Sequence, residues 1–237
     1  MAKGFILEHF NSPFNGDDCV AILTLNSQNR KIGIGVPQVW ILNAEISPID
    51  AVNTGRDQSI CGDCIHRKQA DGSRSCYVNI GQAPLSIWRA YKANKYKLLW
   101  QYSELEHAVE GRTIRWGAYG DPAVLSYDLV DYLNRCAANH TGYTHQWRHS
   151  FAQPFKGIFQ ASVDTAQEFI EASRMGWKTF NVLAKSRDQK SLSQTPGIQC
   201  PNAINPNITC SNCHLCDGSS QHIWITAHGS GAKHVHN

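Results

Sequence analysis

The sequence predicts an α/β protein with a mostly parallel sheet or barrel. Three observations lead there. From Thr113 onward, short apolar runs alternate with helix-like stretches, the order that βαβ units produce. Two of the helical stretches open on capping-box spacing and close on glycine. The chain has 237 residues, 42% of them hydrophobic, enough for a sizeable core.

The first fifty residues read as a strand-rich N-terminal extension, with strands expected at Ala21 to Leu25, Lys31 to Val36 and Val39 to Leu42. Asn26, Gly35 and Pro37 punctuate them. Residues 51–237 form the second part, expected to be one compact unit. It opens on a loop from Ala51 to Gly81. Pro84 then starts a helix, PLSIWRAYKANKYKLLW, because a first-turn amide has no intrahelical partner to lose. Ser103 and Glu106 mark a short helix that Gly111 can end. Strands are expected at Thr113–Tyr119, Thr141–Trp147, Gly157–Val163, Lys178–Ala184 and Ile223–Ala227. Helices follow Ser126 and Thr165, the latter with Glu168 at capping-box spacing and Gly176 at its end.

Net charge is +3, spread along the chain. That permits an anionic small molecule and gives no sign of a nucleic-acid partner. The first residues, MAKGFILEHFNSPF, lack a long apolar leader. No segment approaches about twenty apolar residues, so no membrane span is expected. The expectation is a cytoplasmic protein, in a host cytoplasm if a phage encodes it. Nine cysteines in such a compartment point to metal rather than to disulfides. Cys19 and Cys136 stand alone and read as inert buried thiols.

The other seven form two groups. Within the cysteine-rich segment 196–218, the run Cys200-x9-Cys210-x2-Cys213-x2-Cys216 brings four thiolates into seventeen positions. A cysteine at every third residue can wrap a [4Fe-4S] cluster. Zinc sites more often show two separated pairs, so the spacing favours iron and keeps zinc as the alternative. His214 inside the run reads as a polar loop residue. The first group, Cys61-x2-Cys64-x11-Cys76, has three cysteines and leaves one coordination position open. His66 is a competing fourth ligand for zinc there. A single cluster shared by both groups is a further alternative.

Several other residues are candidates. Gly120-Asp121-Pro122 ends a strand, where barrel sites form, and is equally good turn chemistry. Tyr143 and His145 would share one face of their strand, and Arg115 could face the same interior, pairing with Asp164 or an anionic ligand. These three are the candidate catalytic groups. His228, His234 and His236 invite a metal reading, with a flexible tail the simpler one for the last two.

The order of these landmarks resembles the radical S-adenosylmethionine (SAM) superfamily, with a partial (β/α)6 TIM-like barrel. The resemblance runs roughly from Ser59 to Gly229. It implies that Cys61, Cys64 and Cys76 hold a [4Fe-4S] cluster with one open iron. It implies SAM-facing roles for Gly120, Asp121, Pro122, Ser162 and Asp164, and an auxiliary cluster at the C-terminal cysteines. An electron donor is the implied partner. The family's usual first loop is Cys-x3-Cys-x2-Cys and its strand motif carries glutamate, whereas this chain has wider spacing and Asp121. The whole chain also resembles a phage and bacterial protein family sharing the runs APLSIWRAYK and GYTHQW, a kinship that implies no particular reaction. Three functions follow as expectations: SAM-cleaving iron–sulfur enzyme, non-catalytic [4Fe-4S] binding or electron-transfer protein, or zinc-stabilised interaction module.

Overall fold

The computed structural model describes residues 4–98, 103–187, 192, 194–229 and 231–235. Leu99 and Trp100, at the end of the expected Pro84 helix, and His236 lie outside the described residues.

Three strands open the chain: β1 (Gly4–Asn11), β2 (Asp18–Thr24) and β3 (Gln38–Asn43). They form an antiparallel meander. β1 is an addition to the sequence reading. Lys31–Val36 is not a strand. It forms turns in which Gly33 and Gly35 both take positive φ, a region that suits glycine and interrupts a ladder.

The stretch expected as loop holds two short helices, α1 (Pro48–Thr54) and α2 (Gln58–Cys61). Ser47 caps α1 by accepting from the Asp50 amide, and Pro48 sits in its first turn. The Pro84 helix, α3, covers Ala83–Lys92 and is shorter than its pattern suggested. Asn94 takes φ 53° just beyond it, and the two-residue β4 (Lys97–Leu98) follows. Then come α4 (Ser103–Val109), β5 (Thr113–Tyr119) and α5 (Tyr127–Cys136).

The strand expected at Thr141–Trp147 is split and shifted. It appears as β6 (Asn139–Thr141) and β7 (Tyr143–Thr144), divided by Gly142. A side chain at Gly142 would run into the Phe159 ring and Trp116. The remaining elements are β8 (Gln160–Val163), α6 (Ala166–Arg174), β9 (Thr179–Leu183), β10 (Ile198–Gln199) and β11 (Ile223–Thr226). At α6, Thr165 accepts from the Glu168 amide as its spacing predicts. Glu168 returns to the amide of Asp164, one residue before the cap.

The strands make two sheets, ordered β4-β1-β2-β3-β5-β6 and β10-β11-β9-β8-β7. All pairings in the second sheet are parallel, as are β3–β5 and β5–β6 in the first. Residues 139–144 therefore carry the parallel run from one sheet to the other. Among the described residues, neither sheet closes on itself.

Period-two alternation decides what each strand face meets. In β5, Ile114, Trp116 and Ala118 are buried in the core, Arg115 and Gly117 line a cavity, and Tyr119 belongs to both. Ala161 and Val163 of β8 go to the core, and Ser162 goes to the cavity. The core is shared by β1–β3 and by α4, α5 and β8, so the N-terminal strands and the remainder bury one continuous apolar surface. Among the described residues, no helix is long and apolar enough to cross a membrane.

Candidate metal centre

Alternate residues from five parallel strand segments converge on one cavity of about 350 Å³. Arg115, Gly117 and Tyr119 come from β5. Thr141, Tyr143 and His145 come from β6, β7 and the turn after them. Ser162 comes from β8, Phe180 and Val182 from β9, and Ile223 and Ile225 from β11. All seven grouped cysteines line the same space.

The first cysteine loop is held by an ion pair between partly buried Arg67 and the buried carboxylate of Asp57. Asp57 precedes α2 and is 3% exposed. Its Oδ1 accepts from Arg67 Nε at 3.0 Å and Nη2 at 2.8 Å. Arg67 also donates to the carbonyls of Gly62 and Gly55. Gln146 donates to the Cys61 carbonyl at 3.0 Å, and the Cys76 amide donates to the carbonyl of His66. One guanidinium thus ties the loop to residues 55–62. Arg67→Ala leaves a buried carboxylate without its cation and should cost about 3–5 kcal/mol. Denaturant unfolding checks this, and a loss well under about 1 kcal/mol would mean that the pair does not brace the loop.

The second group is assembled from distant pieces. β10 pairs with β11, and the Cys200 amide donates to the Trp224 carbonyl. Cys210–Cys213 forms one helical turn, with Thr209 and Asn212 completing a capping box. The Cys210 and Ser211 amides donate to the carbonyls of Lys31 and Ile32. This docking accounts for the turns at 31–36. Gly142 donates to the Cys216 carbonyl across the split strand. His214 turns its Nε2 back to the Ser211 carbonyl at 2.6 Å, in keeping with a loop role.

Burial dominates the electrostatics of both groups. Burial lifts the Cys61 thiol well above its ordinary value, and Cys64, Asp57 and Cys76 push the same way. Burial raises Cys64 to about 12 and also raises Cys76. Burial raises Cys210, opposed by Arg115 and Lys31. It raises Cys216 as well, opposed by the Tyr143 hydroxyl. The neighbouring thiols that push on Cys61 and Cys76 belong to the first group, and those that push on Cys210 and Cys216 to the second. Buried thiols of this kind become thiolates when a metal supplies the compensating charge.

Sulfur spacing distinguishes metals. In a tetrahedral zinc site with Zn–S near 2.3 Å, sulfurs stand about 3.8 Å apart. Among the described residues, no three ligand atoms that include a cysteine sulfur come within 4.8 Å of one another. A cubane binds each thiolate to a different iron and so tolerates wider spacing.

The other candidates fall into place unevenly. Asp121 is buried and lines the cavity. Its Oδ1 accepts from the Ala123 amide and its Oδ2 from the His145 amide at 2.7 Å. Burial raises its carboxyl, with His145 opposing. The turn role of Gly120-Asp121-Pro122 is thus plain, with Gly120 and Asp121 still on the wall. Pro122 is buried off the wall. Arg115 faces the cavity and does not pair with Asp164. It donates to Gln38 Oε1 at 3.0 Å and Tyr77 Oη at 2.8 Å. Tyr143 meets Cys216 and lies 4.2 Å, ring to ring, from Phe180.

Ser162 lines the main cavity, but Asp164 does not. Asp164 Oδ1 accepts from His66 Nε2 at 2.8 Å, and its Oδ2 lies 3.8 Å from His145 Nε2. Burial works against this carboxylate, but the His66 hydrogen bond and the charges of His66 and His145 hold it below its usual value. His66 also meets Ser75 Oγ through Nδ1 at 2.7 Å, so both ring nitrogens are engaged away from the cysteines. The link between His66 and Asp164 spans 98 positions, and spacing gave no signal for it.

Cys19 is fully buried, its thiol raised to about 11 by burial. Cys136 is half-buried at the end of α5. His228 stacks on Tyr77 and lies 2.9 Å from Lys31 Nζ. His234, expected in a flexible tail, sits in a short 3-10 turn at Ala232–His234. No family model, curated protein or solved structure matches the chain.

Proposed function

We propose that this chain is an iron–sulfur protein carrying two [4Fe-4S] clusters that face one cavity, on a partial (β/α)6 barrel of radical-SAM type. One observation carries the reading: seven cysteines, in two groups along the sequence, line one cavity together with side chains of the parallel strands. In this reading β3, β5, the β6–β7 segment, β8, β9 and β11 are the six barrel strands.

Cys61, Cys64 and Cys76 would hold the first cluster, and Cys200, Cys210, Cys213 and Cys216 the second. When bound, a cluster with three protein thiolates supplies a reducing electron and an open iron at which SAM can be held. The chain's own groups do the rest. Arg67 and Asp57 fix the first loop. Arg115 and Lys31 lie close enough to the second group to act on its thiols, and they would offset the negative charge of a four-thiolate cluster. The apolar side chains of β9 and β11 would exclude water from the space between. Gly120, Asp121 and Ser162 are the wall groups available to a SAM amine or carboxylate. Pro122 and Asp164 leave that set because they do not line the main cavity.

A second reading, binding or electron transfer without SAM cleavage, draws on Asp121. Both of its oxygens already serve backbone amides, which limits what remains for a ligand amine. Anaerobic reconstitution followed by iron and sulfide analysis tests the shared core of both readings. The expected result is about eight irons and eight sulfides per chain. Zinc without sulfide would sink both. Cleavage of SAM under strong reductant then separates them.

A further inference from the structure

We propose that His66, His145 and Asp164 form a third metal centre, a mononuclear site for a divalent first-row transition ion beside the first cysteine loop. This goes beyond the iron–sulfur reading and does not rest on it.

Three elements bring the donors together. His66 lies on the first cysteine loop, two positions after Cys64. His145 follows β7, and Asp164 follows β8. Their ligand atoms all lie within 4.8 Å of one another, the one such group of histidine, cysteine and acidic side chains among the described residues. With metal–ligand bonds of about 2.0–2.2 Å, neighbouring donors of a tetrahedral or octahedral ion stand about 2.8–3.6 Å apart. The observed pairs are 2.8 Å from His66 Nε2 to Asp164 Oδ1 and 3.8 Å from His145 Nε2 to Asp164 Oδ2. Adjustments of a few tenths of an ångström would bring the carboxylate into range of both.

A plain hydrogen-bonded cluster does not account for His145. Its Nε2 is buried and has no hydrogen-bond partner among the described residues. At 3.8 Å it is beyond hydrogen-bond reach of Asp164. An orphan buried nitrogen is unfavourable, and an ion between the three donors removes that cost. His66 carries the support expected of a metal-bound imidazole. Ser75 engages Nδ1 and leaves Nε2 directed at the common point. The His145 backbone is fixed by Asp121, and the Asp164 backbone by Glu168.

Two imidazoles and one carboxylate with open positions suit iron(II), zinc, cobalt or manganese. The site lies in a wall between two cavities. His66 and His145 line the main one, while His66 and Asp164 line a second of about 200 Å³. An ion there could receive a ligand from the main cavity without disturbing either cysteine group.

The test is anaerobic titration of the cluster-loaded protein with cobalt(II). The expected result is one cobalt per chain beyond the iron, with weak ligand-field absorption and no sulfur-to-cobalt charge-transfer band. His145→Ala and Asp164→Asn should each weaken binding roughly tenfold or more, with iron and sulfide unchanged. Wild-type protein that retains no cobalt overturns the site, as does cobalt binding unaffected by both substitutions. A charge-transfer band would put the cobalt on cysteine and also overturn it. If that occurs in sulfide-free protein, the cluster reading fails as well, whereas nitrogen-bound cobalt in such protein would sink the clusters alone. Should either variant fail to fold, pulsed EPR of wild-type cobalt protein decides. Two imidazole nitrogen couplings are expected, and none would overturn the proposal.

Discussion

Replacing Cys210, Cys213 and Cys216 together by alanine should remove about four irons and four sulfides per chain and loosen the segment after Pro196. The stability effect follows from how that segment is held. β10 has two residues, and the helical turn at Cys210–Cys213 is only four residues long. As whole residues Cys200, Cys210, Cys213 and Cys216 stay partly exposed, although burial acts on the sulfurs of Cys210 and Cys216. Exposed Ile198 and Ile204 add little apolar burial. Much of the docking is backbone hydrogen bonding to residues 31–32, Gly142 and Trp224. Structural zinc in small peptides contributes roughly 10–16 kcal/mol of apparent binding, a scale that sets what a closed four-thiolate centre can add. A whole domain is stable by about 5–15 kcal/mol. Limited proteolysis of the triple variant should therefore cut between Pro196 and Gly218 while the strands before Leu183 persist. Iron content equal to the wild type would show that these residues are not the ligands. Metal loss with unchanged proteolysis would show that the segment is held by protein contacts alone.

Cys61→Ala, Cys64→Ala and Cys76→Ala combined should abolish any EPR response to SAM and any reductive SAM cleavage. Iron and sulfide should fall by about half, with the C-terminal group still loaded. The separation follows from the two groups' different supports. The first loop is braced by Arg67, Asp57 and Gln146, the second by β11 and the 31–32 turn. Substitutions that share no supporting partners act nearly independently. A SAM response that survives would move the SAM-facing cluster to the C-terminal group. Loss of both clusters together would mean one coupled centre.

The elements legible in the sequence are those whose signals are local. In TIRWGAY, alternation separates the Ile114, Trp116 and Ala118 face from the Arg115 and Gly117 face, and the structure keeps that division, with Tyr119 at the strand end reaching both core and cavity. Thr165 and Glu168 announce α6 because the cap bond spans three residues. The signals that misled were local patterns overruled at a distance. Lys31–Val36 alternates like a strand, yet its backbone carries the C-terminal cysteine loop, and two glycines turn it. The Thr141–Trp147 pattern ends early because Asp121 takes the His145 amide and a turn follows.

By itself, the sequence determined that seven of nine cysteines form two sets, and that the second half alternates strand and helix. Spacing and periodicity are short-range properties, so one dimension is enough to read them. Tertiary structure alone decided that both sets open on one cavity, that Arg115 binds Gln38 and Tyr77, and that Asp164 faces His66 and His145. Those facts depend on which strands lie side by side. Parallel pairing brings together residues separated by long crossovers, and no local pattern encodes which partner a side chain will meet across the sheet.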